Sequence, residues 1–141
     1  MTRSLTTKGA ATRQRILEGA AELLRHHGAA EISLELICTS TATSKSQLFH
    51  YFPRGRVELF TAIARFEAER VIADQQPHID DLSTPELWQA WRAALIARYR
   101  QLGRYCPVNA LVVELARTGP DVQTVVEDMQ HRWHALMTQA V

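Results

Sequence analysis

The run Ser44-Lys-Ser-Gln-Leu-Phe-His-Tyr-Phe-Pro53 sets two kinds of side chain on one short segment. Leu48 and Phe52 stand four apart, with Phe49 beside them, so a helix over this run buries a narrow apolar stripe. Thr43, Ser44, Lys45 and Gln47 at its N-terminal end are short or flexible hydrogen-bonding residues on the positive pole of the helix. Pro53 has no amide hydrogen and stops the helix. A helix that enters a major groove needs this division between an inward apolar side and an outward hydrogen-bonding end. An N-capped helix with a solvated face has the same pattern, and periodicity alone leaves both readings open.

The flanking sequence adds two helices before this one. Residues 12–27 carry Ile16, Leu17, Ala20, Ala21, Leu23 and Leu24 at helical spacing, and Gly28 is placed to close them. Ser33 is an N-cap for a short helix over 34–37, favoured by Glu35 in its first turn. The polar stretch 39–43 then makes a tight turn, which completes a helix-turn-helix. After the joint at 52–57, Leu59, Phe60, Ile63, Ala64 and Phe66 mark a long helix to about residue 76, ended by Pro77. Pro85 opens another, with Leu87, Trp88, Trp91, Ala94, Leu95, Tyr99 and Leu102 on a broad face. A short apolar helix is predicted over about 108–117. A last one carries Val122, Val125, Val126, Met129, Trp133, Leu136 and Met137 on one side.

Composition agrees with an all-α fold and excludes several classes. The 141 residues are 46% hydrophobic and 22% charged, which is neither disordered nor collagen-like, and long β-branched alternation is missing. The longest apolar stretches, such as 110–113, fall far short of the roughly 20 residues that cross a bilayer. The basic start lacks the apolar core of a secretory signal. Cys38 and Cys106 lack C-x-x-C spacing and make no disulfide framework, so a reducing cytoplasm is the expected location. Net charge is only +1, unevenly spread: residues 1–60 hold eight basic against five acidic residues, and residues 61–141 eight against ten. Phosphate contact is therefore expected in the first part rather than the second. Two domains are predicted, 1–55 for DNA and 56–141 for regulation.

At Thr12-Arg-Gln-Arg-Ile-Leu17, Ala20-Ala-Glu-Leu-Leu24 and the run 44–53, the chain resembles the tetracycline-repressor (TetR/AcrR) family of bacterial transcription regulators over about residues 10–62. Phe52-Pro-Arg-Gly-Arg-Val-Glu-Leu59 resembles a subgroup variant, F-P-G-G-K-x-x-L, with Arg56 in place of its lysine. Arg104-Tyr-Cys-Pro-Val-Asn-Ala-Leu-Val-Val-Glu-Leu-Ala116 resembles the G-C-P segment of LmrA/YxaF-like members. The family's chains usually run on into two further helices that dimerise, so an incomplete interface and a weakened homodimer are expected, with Trp133 and Met137 near the contact. Two local departures stand out: Ala42, where the turn often has glycine, and Phe49, where tyrosine is frequent.

The resemblance implies roles for individual residues. Thr43, Ser44, Lys45 and Gln47 would face the groove, Gln47 suiting adenine and Lys45 guanine or phosphate. His50, Tyr51, Ser33 and Arg56 would reach the DNA backbone, and Arg3, Lys8 and Arg13 could add an arm or first-turn contact. Phe66, Trp88, Trp91, Arg98, Tyr99, Leu111 and Leu115 are the candidate lining of a site for a small apolar effector, although such a stripe also describes plain core. The implied function is a ligand-responsive repressor on a pseudo-palindromic double-stranded operator. Two rivals are a dimerisation-impaired regulator or heterodimer partner and a small metal or thiol enzyme. Neither a metal nor a cofactor is expected: Glu127 and His131 fall opposite the apolar face of the last helix, Cys106 has no nearby histidine in sequence, and no phosphate-binding or nucleophile motif occurs.

Overall fold

The computed structural model describes residues 5–102 and 119–141. Six α-helices occur among them: α1 (Thr7–His27), α2 (Leu34–Ser40), α3 (Lys45–Tyr51), α4 (Arg56–Ala73), α5 (Pro85–Leu102) and α6 (Pro120–Ala140). Single 3₁₀ turns sit at Ala29–Glu31 and His78–Asp80, and the described residues contain no strand. The fold is all-α. No helix among them is long and apolar enough to cross a membrane. The short helix predicted over 108–117, with Leu111, Leu115 and Cys106, lies outside the described residues.

Helix ends follow local chemistry. The first helix begins five residues earlier than the apolar pattern suggests, because the Thr6 hydroxyl accepts from the Gly9 amide at 3.0 Å and supplies an N-cap upstream of any buried residue. Gly28 (φ 76°) closes it, its N–H donating to the Leu24 carbonyl at 2.9 Å. Ser33 caps α2 as expected, accepting from Leu36 at 3.1 Å, but α2 runs on through Thr39 to Ser40, both assigned to the turn. Ser44 caps α3, and Phe52 and Pro53 end it. At the joint Gly55 takes φ 71°, and the Arg54 amide donates to the Glu58 carboxylate at 2.8 Å.

The main core runs through both expected domains. Ile16, Leu17, Ala20 and Leu24 of α1, Ile37 of α2, and Leu48 and Phe52 around α3 form one buried cluster with Leu59, Phe60 and Ile63 of α4 and Val122, Val125 and Met129 of α6. The 1–55 boundary falls in the turn before α4, but α4 itself belongs to both sides of it. A second cluster joins Ile79, Leu82, Trp91 and Ala140, flanked by Trp88, Leu95, Leu136 and Met137. The apolar face of α6 thus finds most of its cover within the chain, while Trp133 remains 38% exposed.

Candidate nucleic-acid interface

The third helix presents Ser44, Lys45, Ser46 and Gln47 to solvent, and Leu48 and Phe52 fix its other side in the core at 0% exposure. The outward groups already have local partners. The Ser44 hydroxyl accepts from the Gln47 amide at 3.1 Å, and the Gln47 side-chain oxygen accepts from the Ser44 amide at 3.2 Å, a reciprocal capping box. Lys45 donates to the Glu35 carboxylate of α2 at 3.1 Å. That contact holds the Glu35 carboxyl below its ordinary value. With both side chains largely exposed, the pair is weak and opens at little cost to a better acceptor.

Thr43 departs from its expected place. It is buried at 7% exposure, its hydroxyl donates to the Thr41 carbonyl at 3.2 Å and its oxygen lies 3.0 Å from that of Thr41, whose own proton goes to the Ile37 carbonyl. It braces the turn instead of facing outward. The turn is tight: Ala42 takes φ 51°, and a Cβ added at Gly19 of α1 would come within 2.5 Å of Thr41 Cγ2. Phe49, counted with the apolar stripe, is 42% exposed on α3.

Around this end the expected backbone contacts divide. His50 is exposed, with its ring edge-on to Tyr51 at 4.9 Å, and Tyr51 is half-buried with its hydroxyl turned toward Gly9 of α1. Arg56 has partners within the chain. Its half-buried guanidinium donates to the Ile32 carbonyl just before α2 and lies 4.1 Å from the Phe60 ring centroid, so it ties the start of α4 to the α2 approach. Arg13 lies similarly over Phe52 at 4.9 Å. Lys8 is exposed in the first turn of α1, and Arg3 lies outside the described residues.

Residues 16–63 match the family of bacterial regulatory proteins, tetR family. The matched segment runs from within α1 through α3 into α4, the same elements that carry the interface just described. This match supports a DNA-binding transcriptional regulator. No curated protein and no solved structure matches the chain.

Beyond the matched segment, a cavity of about 250 Å³ opens between α4, α5 and α6, lined by Val71, Gln75, Leu95, Tyr99, Met129, Gln130 and Trp133. Of the expected effector residues within the described segments, Tyr99 alone lines it. Trp91 is buried in the second cluster with Trp88 packed edge-on to it at 5.4 Å, Arg98 pairs with Asp74 at 2.8 Å, and Phe66 packs against the main core beneath Arg70. Sequence reading missed Gln75. Its buried side-chain oxygen accepts from the indole N–H of Trp91 at 3.2 Å and of Trp133 at 3.1 Å, and its NH₂ donates to the Val71 carbonyl at 3.0 Å. Only the pairing of two distant tryptophans with one amide reveals it. Among the described residues no group of three or more metal-ligating side chains converges.

Proposed function

We propose that the chain is a ligand-responsive repressor that reads a pseudo-palindromic operator as a homodimer, with α3 as its groove-reading helix. The observation that carries this reading is the exposed first turn of α3, with Ser44, Lys45 and Gln47 mounted on the buried Leu48 and Phe52, inside the tetR-family match. Lys45 leaves Glu35 for a base edge or phosphate, and Gln47 leaves its capping box to pair with adenine. His50 and the amide end of α2 at Ser33 add backbone contacts. Thr43 and Arg56 position the head without reading it. The 250 Å³ cavity takes a small apolar effector, because its polar node, Gln75, is already satisfied by Trp91, Trp133 and Val71. The resemblance of 104–116 to LmrA/YxaF-like members supports placing the chain in that subgroup.

The test is selection of duplexes from a random pool by the full chain, followed by titration of the enriched site against random DNA. An enriched site with two half-sites one helical turn apart, lost on dilution of the protein, is expected. Recovery of no preferred sequence, or protection of two half-sites by a strict monomer, refutes the reading.

A further inference from the structure

Glu67 stands in the middle of α4 with its side chain 1% exposed, and neither carboxylate oxygen has a hydrogen-bond partner among the described residues. Two guanidinium groups approach its Oε1, each at 3.6 Å: Arg25 from the last turn of α1, and Arg70 one turn along α4. Beyond these, Asp74 of α4 and Arg98 of α5 act on it electrostatically, and they are paired with each other at 2.8 Å. Arg132 of α6 reaches α4 too, but Glu69 on the exposed side holds it. Burial outweighs the two nearest arginines and pushes the Glu67 carboxyl above its ordinary value of 4.5.

A charge in this place is unfavourable for packing, since a buried ion pair rarely outperforms apolar residues of the same volume. What it can add is direction. Much of the remaining seam between α1 and α4 is apolar, with Leu17, Ala20, Ala21, Leu24, Ile63 and Ala64 all in the main cluster, and apolar contact tolerates sliding and tilting. An anion placed between one cation on each helix favours one relative setting of the two.

We propose that Glu67 is a positioning residue: attracted to Arg25 of α1 and Arg70 of α4, it sets the angle at which the three-helix head sits on α4, and so where α3 points. Val71, one turn farther along the same helix, and Gln75, in the turn that follows it, line the α4–α5–α6 cavity. Glu67 therefore lies between the cavity and the head. Its relevance to an operator rests on the DNA-binding reading, but the angle can be tested without DNA.

Nitroxide labels at Ser46→Cys on α3 and Gln89→Cys on α5, in the full chain carrying Cys38→Ser and Cys106→Ser, report the head-to-body distance by pulsed electron resonance. In mildly alkaline solution the parent is expected to give one narrow distribution. Glu67→Gln should displace or broaden it by more than the parent's width while helicity is kept and the melting temperature does not fall. Acidification toward pH 4.5, the ordinary value above which burial holds Glu67, should carry the parent toward the distribution of the Gln variant, which should respond less. Should Glu67→Gln fail to fold, Arg25→Gln, at the partly exposed end of the pair, must produce the same displacement. An unchanged distribution in the folded variant, or a Gln variant that keeps the parent's pH response, overturns the proposal. Failure of operator selection leaves these distances untouched, so the two readings fail separately.

Discussion

A single methyl group at position 19 would meet Thr41 at 2.5 Å, and Thr41 has little freedom to retreat because its hydroxyl is fixed to the Ile37 carbonyl at 2.7 Å. Alanine normally gains up to about 1 kcal/mol over glycine in a helix interior. Here the collision should win, and Gly19→Ala is expected to destabilise by roughly 1–3 kcal/mol in denaturant titration. The converse applies at position 42, where φ is 51° and a Cβ is strained: Ala42→Gly should be neutral or stabilising by up to about 1 kcal/mol. A measured loss at Ala42→Gly would show that the turn does not hold the left-handed conformation. These residues also mark what is readable in a sequence. The cap Ser33 was legible because its partner lies three positions away; the capping box Ser44-Lys-Ser-Gln47 has the same short spacing but went unread, since Ser44 and Gln47 were assigned to the groove. Arg56 was not legible: its partner, the Ile32 carbonyl, lies 24 positions away and becomes a neighbour only through tertiary packing.

Among the elements, α3 separates binding from stability at adjacent positions. Lys45→Ala removes an exposed ion pair with Glu35, so unfolding free energy should change by no more than about 0.5 kcal/mol while affinity for the selected operator falls. Ser44→Ala removes the N-cap and should cost about 1 kcal/mol of stability as well as affinity. Equal loss of stability in both variants would show that the Lys45 contact is structural. Gln75, in the turn after α4, acts on a longer range. Gln75→Leu leaves two indole N–H groups without their acceptor, and destabilisation of roughly 1–3 kcal/mol in thermal or denaturant unfolding is expected, since Trp91 is buried and Trp133 can turn to water. Helix identities were largely legible because each carries its own apolar period. The end of α4 was less so, at Ala73 in place of about 76, since Gln75 reads as one more polar helical residue until its distant partners are known.

For the molecule as a whole, the joint was readable at 52–57 but its mechanics were not. Proline, glycine and charge mark a turn there, whereas the continuous core through α4 depends on Val122, Val125 and Met129 arriving from the far end of the chain. The buried charge in that core has a consequence for pH. Folding raises the Glu67 carboxyl above 4.5, so the protonated form is the one that folding favours; its contribution is complete below the unfolded value and is lost as pH rises through the folded one. Stability of the parent relative to Glu67→Gln should therefore improve as pH falls from neutral and level off below about 4.5. Paired denaturant titrations across that range check it, and a relative stability that instead declines on acidification would show that Arg25 and Arg70 dominate over burial.

All three tryptophans of the chain gather near one amide: Trp91 and Trp133 donate to the same Gln75 oxygen, and Trp88 sits edge-on against Trp91. Ultraviolet light absorbed by this protein's indoles is thus re-emitted from a single spot at the cavity wall, far along α4 from the reading helix. Its glow should change colour when something fills the cavity and displaces water from Trp133. No tryptophan lies on α1, α2, α3 or α4, so a colour change on adding duplex would signal that the two ends of the molecule communicate.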